Sequence, residues 1–207
     1  MLRLLKAEIK LSNLSDKEKI LTWTFCTLSF FGALRPGESL VKFESHYDPT
    51  LTLCKKDVTF VKGNIEGERD AIHLNIKNSK TNKSGNSETI VIYETKDELC
   101  PVKATRKFMF LNRTLKDNKP FLMGDNNKPM TLKRMNNILK SLSEKTFKNG
   151  MISGHSFRSG LVSMLAKKGY TDSQLKLIGR WSSRAFEVYI KLGRTKCMEM
   201  AIEAAKV

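Results

Sequence analysis

One block of this chain, Leu51 to Glu94, interrupts a pattern that reads as helical on both sides of it. Within the block, apolar residues come in short β-rich runs: Leu51 to Leu53, Asp57 to Val61, Ala71 to Ile76 and Thr89 to Tyr93, separated by Gly63, Gly67 and Gly85. Runs of that length, bounded by glycine, predict strands joined by turns and hence a small antiparallel sheet. The fold class that follows is α+β and mainly helical, with that one sheet inserted after the first helices.

The flanking segments carry their own punctuation. Ser15-x-x-Glu18 is a capping box opening an apolar helix, which should end near Gly32 because Pro36 restricts Arg35 to extended backbone. A second, short helix can start at Pro36, a favoured first helical position. The apolar stretch Ile20 to Leu34 is too short to span a bilayer and contains Thr22, Thr24, Thr27 and Ser29, so it reads as a buried helix rather than a membrane segment. After Pro101, helical periodicity returns over Val102 to Leu111 and over Leu132 to Phe147, where Leu132, Met135, Ile138, Leu139 and Leu142 share a face. Phe157, Leu161, Met164 and Leu165 form another stripe, ended by Gly169. Thr171-x-x-Gln174 is a second capping box for a helix stopping near Gly179. Two further helical pieces, about Arg184 to Leu192 and Arg194 to Lys206, are expected. The 207 residues thus divide into a linker or arm (1–14), one main domain (15–193) and a C-terminal helix (194–207).

Charge narrows the partner. Lys and Arg number 37 against 21 Asp and Glu, a net +16, and clustered cations gain free energy by releasing counterions from phosphate backbones. From Asn126 to Thr171 the cations Lys128, Lys133, Arg134, Lys140, Lys145, Lys148, Arg158, Lys167 and Lys168 are opposed only by Glu144. The sheet tip from Ala71 to Ser87 holds Lys77, Lys80 and Lys83 and no acid. Two separated acid-free regions favour one DNA-facing surface, with Lys77, Lys83, Lys133, Arg134 and Lys140 as candidate DNA contacts. The cysteines Cys26, Cys54, Cys100 and Cys197 lack metal-ligand spacing, as do His46, His73 and His155, so neither a metal nor another cofactor is expected. These cysteines read as reduced thiols of an intracellular protein.

The chemistry-bearing constellation is Gly154-His155-Ser156-Phe157-Arg158-Ser159-Gly160. It sets His155 and Arg158 on one helical face, with Phe157 and Leu161 turned to the core. An imidazole and a guanidinium so placed can address one phosphate. H-x-x-R alone is a weak signal. Leu34-Arg35-Pro36-Gly37-Glu38 stands upstream of it, Ser79-Lys80-Thr81 at the expected hairpin tip, and Gly179-Arg180-Trp181-Ser182-Ser183 with Tyr189 downstream.

On these five spaced motifs, from about Leu14 to Lys191, the sequence resembles the catalytic domain of the tyrosine recombinases, the phage-type integrases, and most closely the crypton and DIRS transposon branch. The resemblance implies that Arg35 is the first catalytic arginine with Glu38 as its supporting partner. It further implies that Lys80 is the hairpin lysine, His155 and Arg158 the H-x-x-R pair, and Tyr189 the nucleophile. The family usually carries a His or Trp nine residues before the tyrosine, whereas here Arg180 stands at nine and Trp181 at eight. Either Trp181 takes the role after a one-residue deletion or Arg180 supplies a third cation. Trp181 is favoured, because an indole N–H can donate to a phosphate oxygen. The family's N-terminal DNA-clamping domain has no counterpart before the first helix, as expected of a fragment of a longer protein.

The chemistry is consistent with those residues. In-line attack on a phosphodiester gathers negative charge on the non-bridging oxygens, which Arg35 and Arg158 can hold bidentately. A phenol, with pKa about 10, needs activation, for which His155 is the candidate, while Lys80 would protonate the departing 5′-oxygen. The implied function is site-specific cleavage and rejoining of double-stranded DNA through a 3′-phosphotyrosine, for excision or integration of a mobile element. Self-association on DNA as a synaptic tetramer would follow, helped by the stripe Met198, Ala201, Ile202 and Ala205. The location would be nuclear for a eukaryotic transposon and cytoplasmic otherwise. A catalytically silent DNA-binding relative and a type IB topoisomerase are the rival readings.

Overall fold

Ser15 begins the longest helix as its capping box predicts, its hydroxyl accepting the Glu18 N–H at 3.1 Å. The second half of the box is diverted, because the Glu18 carboxylate pairs instead with Arg134. In the computed structural model, which describes residues 1–63, 69–77, 87–125, 127–144, 146–147 and 151–181, the chain divides into two units, Met1–Arg158 and Ser159–Val207. The sequence suggested a single main domain up to residue 193.

In the first unit, helix α1 (Leu2–Leu11) precedes α2 (Asp16–Phe31) and the short α3 (Pro36–Ser39). Most of the segment 1–14, read from sequence as a linker or arm, is helical. Leu2, Leu5 and Ile9 recur at helical spacing and are buried in the core, each contributing about 1.5–3 kcal/mol of transfer free energy when fully covered. Strands β1 (Val58–Val61), β2 (Ala71–Ile76) and β3 (Glu88–Tyr93) form an antiparallel sheet in that order, with Val58 opposite Leu74 and Ile72 opposite Ile92. Leu74, Ile76, Ile90 and Ile92 turn inward and alternate with less buried neighbours, as the pleat requires.

The run Leu51 to Leu53 is not a strand. Asp48 captures it in a turn: its carboxylate accepts the Thr50 N–H at 2.8 Å and the Thr50 hydroxyl at 2.6 Å, and its carbonyl accepts the Thr52 N–H at 2.8 Å. Local side-chain bonding to the backbone has overridden β propensity there. Helix α4 (Pro101–Leu111) packs beside α2, and α5 (Leu132–Glu144) buries Met135, Leu139 and Leu142.

Helix α6 (Gly154–Lys167) contains the division between the units, after Arg158. In the second unit Val162 and Leu175 form a small core with Leu165, Ala166 and Trp181 against it. Helix α7 (Asp172–Gly179) opens with the predicted capping box, Thr171 and Gln174 each accepting the other's backbone N–H. No helix among the described residues is long and apolar enough to cross a membrane. The expected helices at 184–192 and 194–206 lie outside the described residues.

Candidate active site

The candidate site forms where the end of α2, the start of α3 and the first turn of α6 meet. Gly32 closes α2, and Ala33 then adopts φ 46°, a left-handed conformation that a non-glycine residue seldom takes. This bend turns the Ala33 carbonyl to the Arg158 guanidinium, whose Nη1 donates to it at 2.7 Å. Arg158 is almost wholly buried, 1% exposed. A cation so placed needs hydrogen-bond acceptors to offset its lost hydration, and the Ala33 carbonyl supplies one.

Arg35 sits at the N-cap of α3. Its backbone N–H donates to Glu38 Oε2 at 2.8 Å and its Nη1 to Glu38 Oε1 at 3.0 Å. The carboxylate thus fixes both ends of the arginine, and Glu38 is itself buried. The two residues form an i, i+3 ion pair on a four-residue helix.

Gly154 brings α6 up to α3. A Cβ placed on it would lie 2.9 Å from Pro36 Cγ, 3.0 Å from Pro36 Cβ and 3.3 Å from Phe25 Cζ, so only glycine permits this approach. Its N–H donates to Asn136 Oδ1 of α5 at 3.0 Å. Phe157 anchors the same turn edge-on against Phe25, with ring centroids 5.9 Å apart, an arrangement contributing about 0.5–1.5 kcal/mol beyond burial. His155, on that same turn, keeps an exposed face and lies within the electrostatic reach of both guanidinium groups. Desolvation by the atoms packed around it, then the positive charges of Arg158 and Arg35, hold its pKa below the ordinary histidine value. The imidazole is therefore held in its neutral form, in which one ring nitrogen can accept a hydrogen bond.

The remaining predicted site residues fall in several places. Lys80, Lys83 and Tyr189 lie outside the described residues. Arg180 and Trp181 belong to the second unit. Arg180 caps α7 in the left-handed region (φ 51°, ψ 49°), which folds Trp181 back on the helix so that a Cβ on Gly179 would fall on its ring.

Lys77, a candidate DNA contact by sequence, is mostly covered in the structure. Its ammonium lies 2.5 Å from Asp57 Oδ2 and donates to the Pro49 carbonyl at 2.9 Å, with both side chains mostly covered. It ties the end of β2 to the turn before β1 and is occupied structurally. Arg134 pairs with Glu18 of α2. Lys133 and Lys140, seven apart and both exposed, share a face of α5, and Lys140 approaches Glu144 at 3.9 Å. The residues that the sequence did not mark are Ala33, Asn136 and Asp57. Each acts through a carbonyl, amide or carboxylate whose partner is far away in sequence.

No protein-family model matches this sequence, and no curated protein does. Solved structures do match by fold. The XerH site-specific recombinase bound to palindromic difH substrate, in a post-cleavage complex, superposes with a TM-score of 0.70 at 13% identity over 97% of this chain and 50% of that one. The fold is that of a tyrosine recombinase catalytic domain. The FLP recombinase in a Holliday-junction complex matches with a TM-score of 0.58 at 18% identity, over 89% of this chain and 43% of that one. The Tn1549 transposon integrase in complex with transposon right-end DNA matches with a TM-score of 0.58 at 14% identity, over 98% and 63%. This chain spans about half the length of the XerH recombinase it resembles.

Proposed function

We propose that this protein is a site-specific DNA recombinase that cleaves and rejoins DNA through a 3′-phosphotyrosine. The observation that carries the reading is the convergence, across more than a hundred residues of sequence, of Arg35, His155 and Arg158 around one locus. The two guanidinium groups are set by Glu38 and by the Ala33 carbonyl before any substrate arrives. Preorganised cations of this kind stabilise the charge that develops on a phosphate under attack without reorganising at the moment of reaction.

In this reading Arg35 and Arg158 hold the non-bridging oxygens and the neutral His155 assists removal of the Tyr189 phenolic proton. Attack of the Tyr189 oxygen on phosphorus forms the phosphotyrosine ester and breaks the bond to the 5′-oxygen, which Lys80 protonates. Reversal by another 5′-hydroxyl rejoins the strand with no energy source, because the ester bond is conserved. Trp181, or Arg180, completes the phosphate site. Double-stranded DNA is the partner, met in part by Lys133 and Lys140, with protomers associating on it as a tetramer through residues 194–207. Membership of the crypton and DIRS branch, action on a mobile element and a nuclear location rest on the sequence resemblance.

The test is incubation with duplexes nicked so that the cleaved strand diffuses away, followed by denaturing electrophoresis. Wild type should form a protein–DNA adduct stable to SDS, and Arg35→Ala and Arg158→Ala should bind DNA yet form none. Binding without an adduct in wild type would favour the silent DNA-binding reading. Relaxation of supercoiled DNA by a monomer would favour the topoisomerase reading.

A further inference from the structure

A groove of about 1130 Å³ runs between α1, α2 and α4, all in the first unit. Its floor is apolar, made by Ile9, Ile20, Trp23 and Leu111. Its rim is mostly basic, with two acids, Asp16 and Glu98, among the lysines and Arg3. Lys6 closes one end, its ammonium 5.4 Å above the Trp23 ring and bonded to the Glu98 carbonyl at 2.7 Å, while Arg3 also reaches the Glu98 carboxylate. That leaves Lys10, Lys17, Lys19 and Lys107 around the groove with no ion-pair partner among the described residues.

We propose that this groove is a docking site for an acidic amphipathic segment of a partner protein. An apolar floor alone would accept many occupants, but one rimmed by uncompensated cations selects a ligand with apolar side chains on one face and carboxylates on the flanks. Duplex DNA would satisfy the lysines and leave Ile20, Trp23 and Leu111 uncovered, because phosphates cannot fill an apolar trough. An acidic helix satisfies both, burying its apolar residues while the lysines draw it in and fix its register. The site is separate from Arg35, His155 and Arg158, so it stands or falls independently of the cleavage chemistry.

The probe is a short fluorescein-labelled peptide in which Leu recurs at helical spacing between Glu residues, titrated with the full chain and followed by anisotropy. Two controls keep the peptide length: one replaces every Glu with Lys and the other every Leu with Ser. The acidic amphipathic peptide should bind and both controls should not. The triple variant Lys10→Glu, Lys19→Glu, Lys107→Glu should weaken binding by at least about tenfold while circular dichroism stays that of wild type. A Leu111→Ser variant, at an exposed position, should weaken it with the charges intact. Absence of binding, unchanged affinity in the triple variant, equal binding of the Leu-to-Ser peptide, or displacement of the peptide by an equal concentration of short duplex DNA would each overturn the proposal.

Discussion

Gly154→Ala tests the geometry that brings α6 to α3. The added methyl would lie 2.9 Å from Pro36 Cγ, where ordinary contact begins at 3.4 Å, so the two elements must part by about half an ångström. Pro36 cannot yield by rotating, because its ring is part of the backbone. Overpacking of this kind costs about 1–3 kcal/mol. Alanine returns up to about 1 kcal/mol in helix propensity, and less at a first helical position. The expected net change is a loss of about 0.5–2 kcal/mol, read by urea unfolding followed through circular dichroism. Such a loss leaves a domain of ordinary stability almost entirely folded. Adduct formation on nicked DNA should nevertheless fall by about tenfold or more, because separating His155 from Arg35 by a fraction of an ångström degrades the positioning that catalysis uses. If Gly154→Ala were more stable than wild type and equally active, the close approach would not be what sets the site.

Two further outcomes follow from charges placed in this fold. Lys77→Met removes the cation beside buried Asp57 and should cost about 2–4 kcal/mol of unfolding free energy. Adding Asp57→Leu should recover part of that loss, whereas Lys133→Met on the exposed face of α5 should change stability little. His155 resists protonation in the folded protein, so its contribution works against folding as pH falls below its ordinary pKa of about 6.5. At higher pH, where both folded and unfolded forms are neutral, the penalty is absent. Stability should therefore decline from pH 7.5 toward pH 5 more steeply in wild type than in His155→Gln, and NMR should place the His155 titration midpoint below that of a model histidine. A midpoint at or above that of an unperturbed histidine would mean that neither the atoms packed around it nor the two arginines act on it.

How much was legible in the sequence depends on whether each cause was local. Both capping serine and threonine signals marked true helix starts, and the glycine-bounded runs of β2 and β3 fell almost at their observed ends. The spacing of Leu2, Leu5 and Ile9 was present for α1, but exposed Leu4 and Leu11 blurred the stripe. Leu51 to Leu53 was misread because one carboxylate, Asp48, outweighed the propensity of the residues after it. Lys77 looked like a hairpin cation because nothing near it is acidic. Its partner, Asp57, reaches it only once β1 and β2 have paired. In the same way H-x-x-R announced a possible phosphate site. The bend at Ala33 and the amide of Asn136 that position its members carry no sequence signature.

The central claim is most directly tested by finding which atom becomes joined to DNA. Wild-type protein trapped on nicked duplex should be digested with nuclease and protease and its peptides read by mass spectrometry. A nucleotide attached to Tyr189, with Tyr47, Tyr93 and Tyr170 unmodified and no adduct in Tyr189→Phe, is the result the account predicts. Attachment at any other residue, or an adduct that survives Tyr189→Phe, would contradict it.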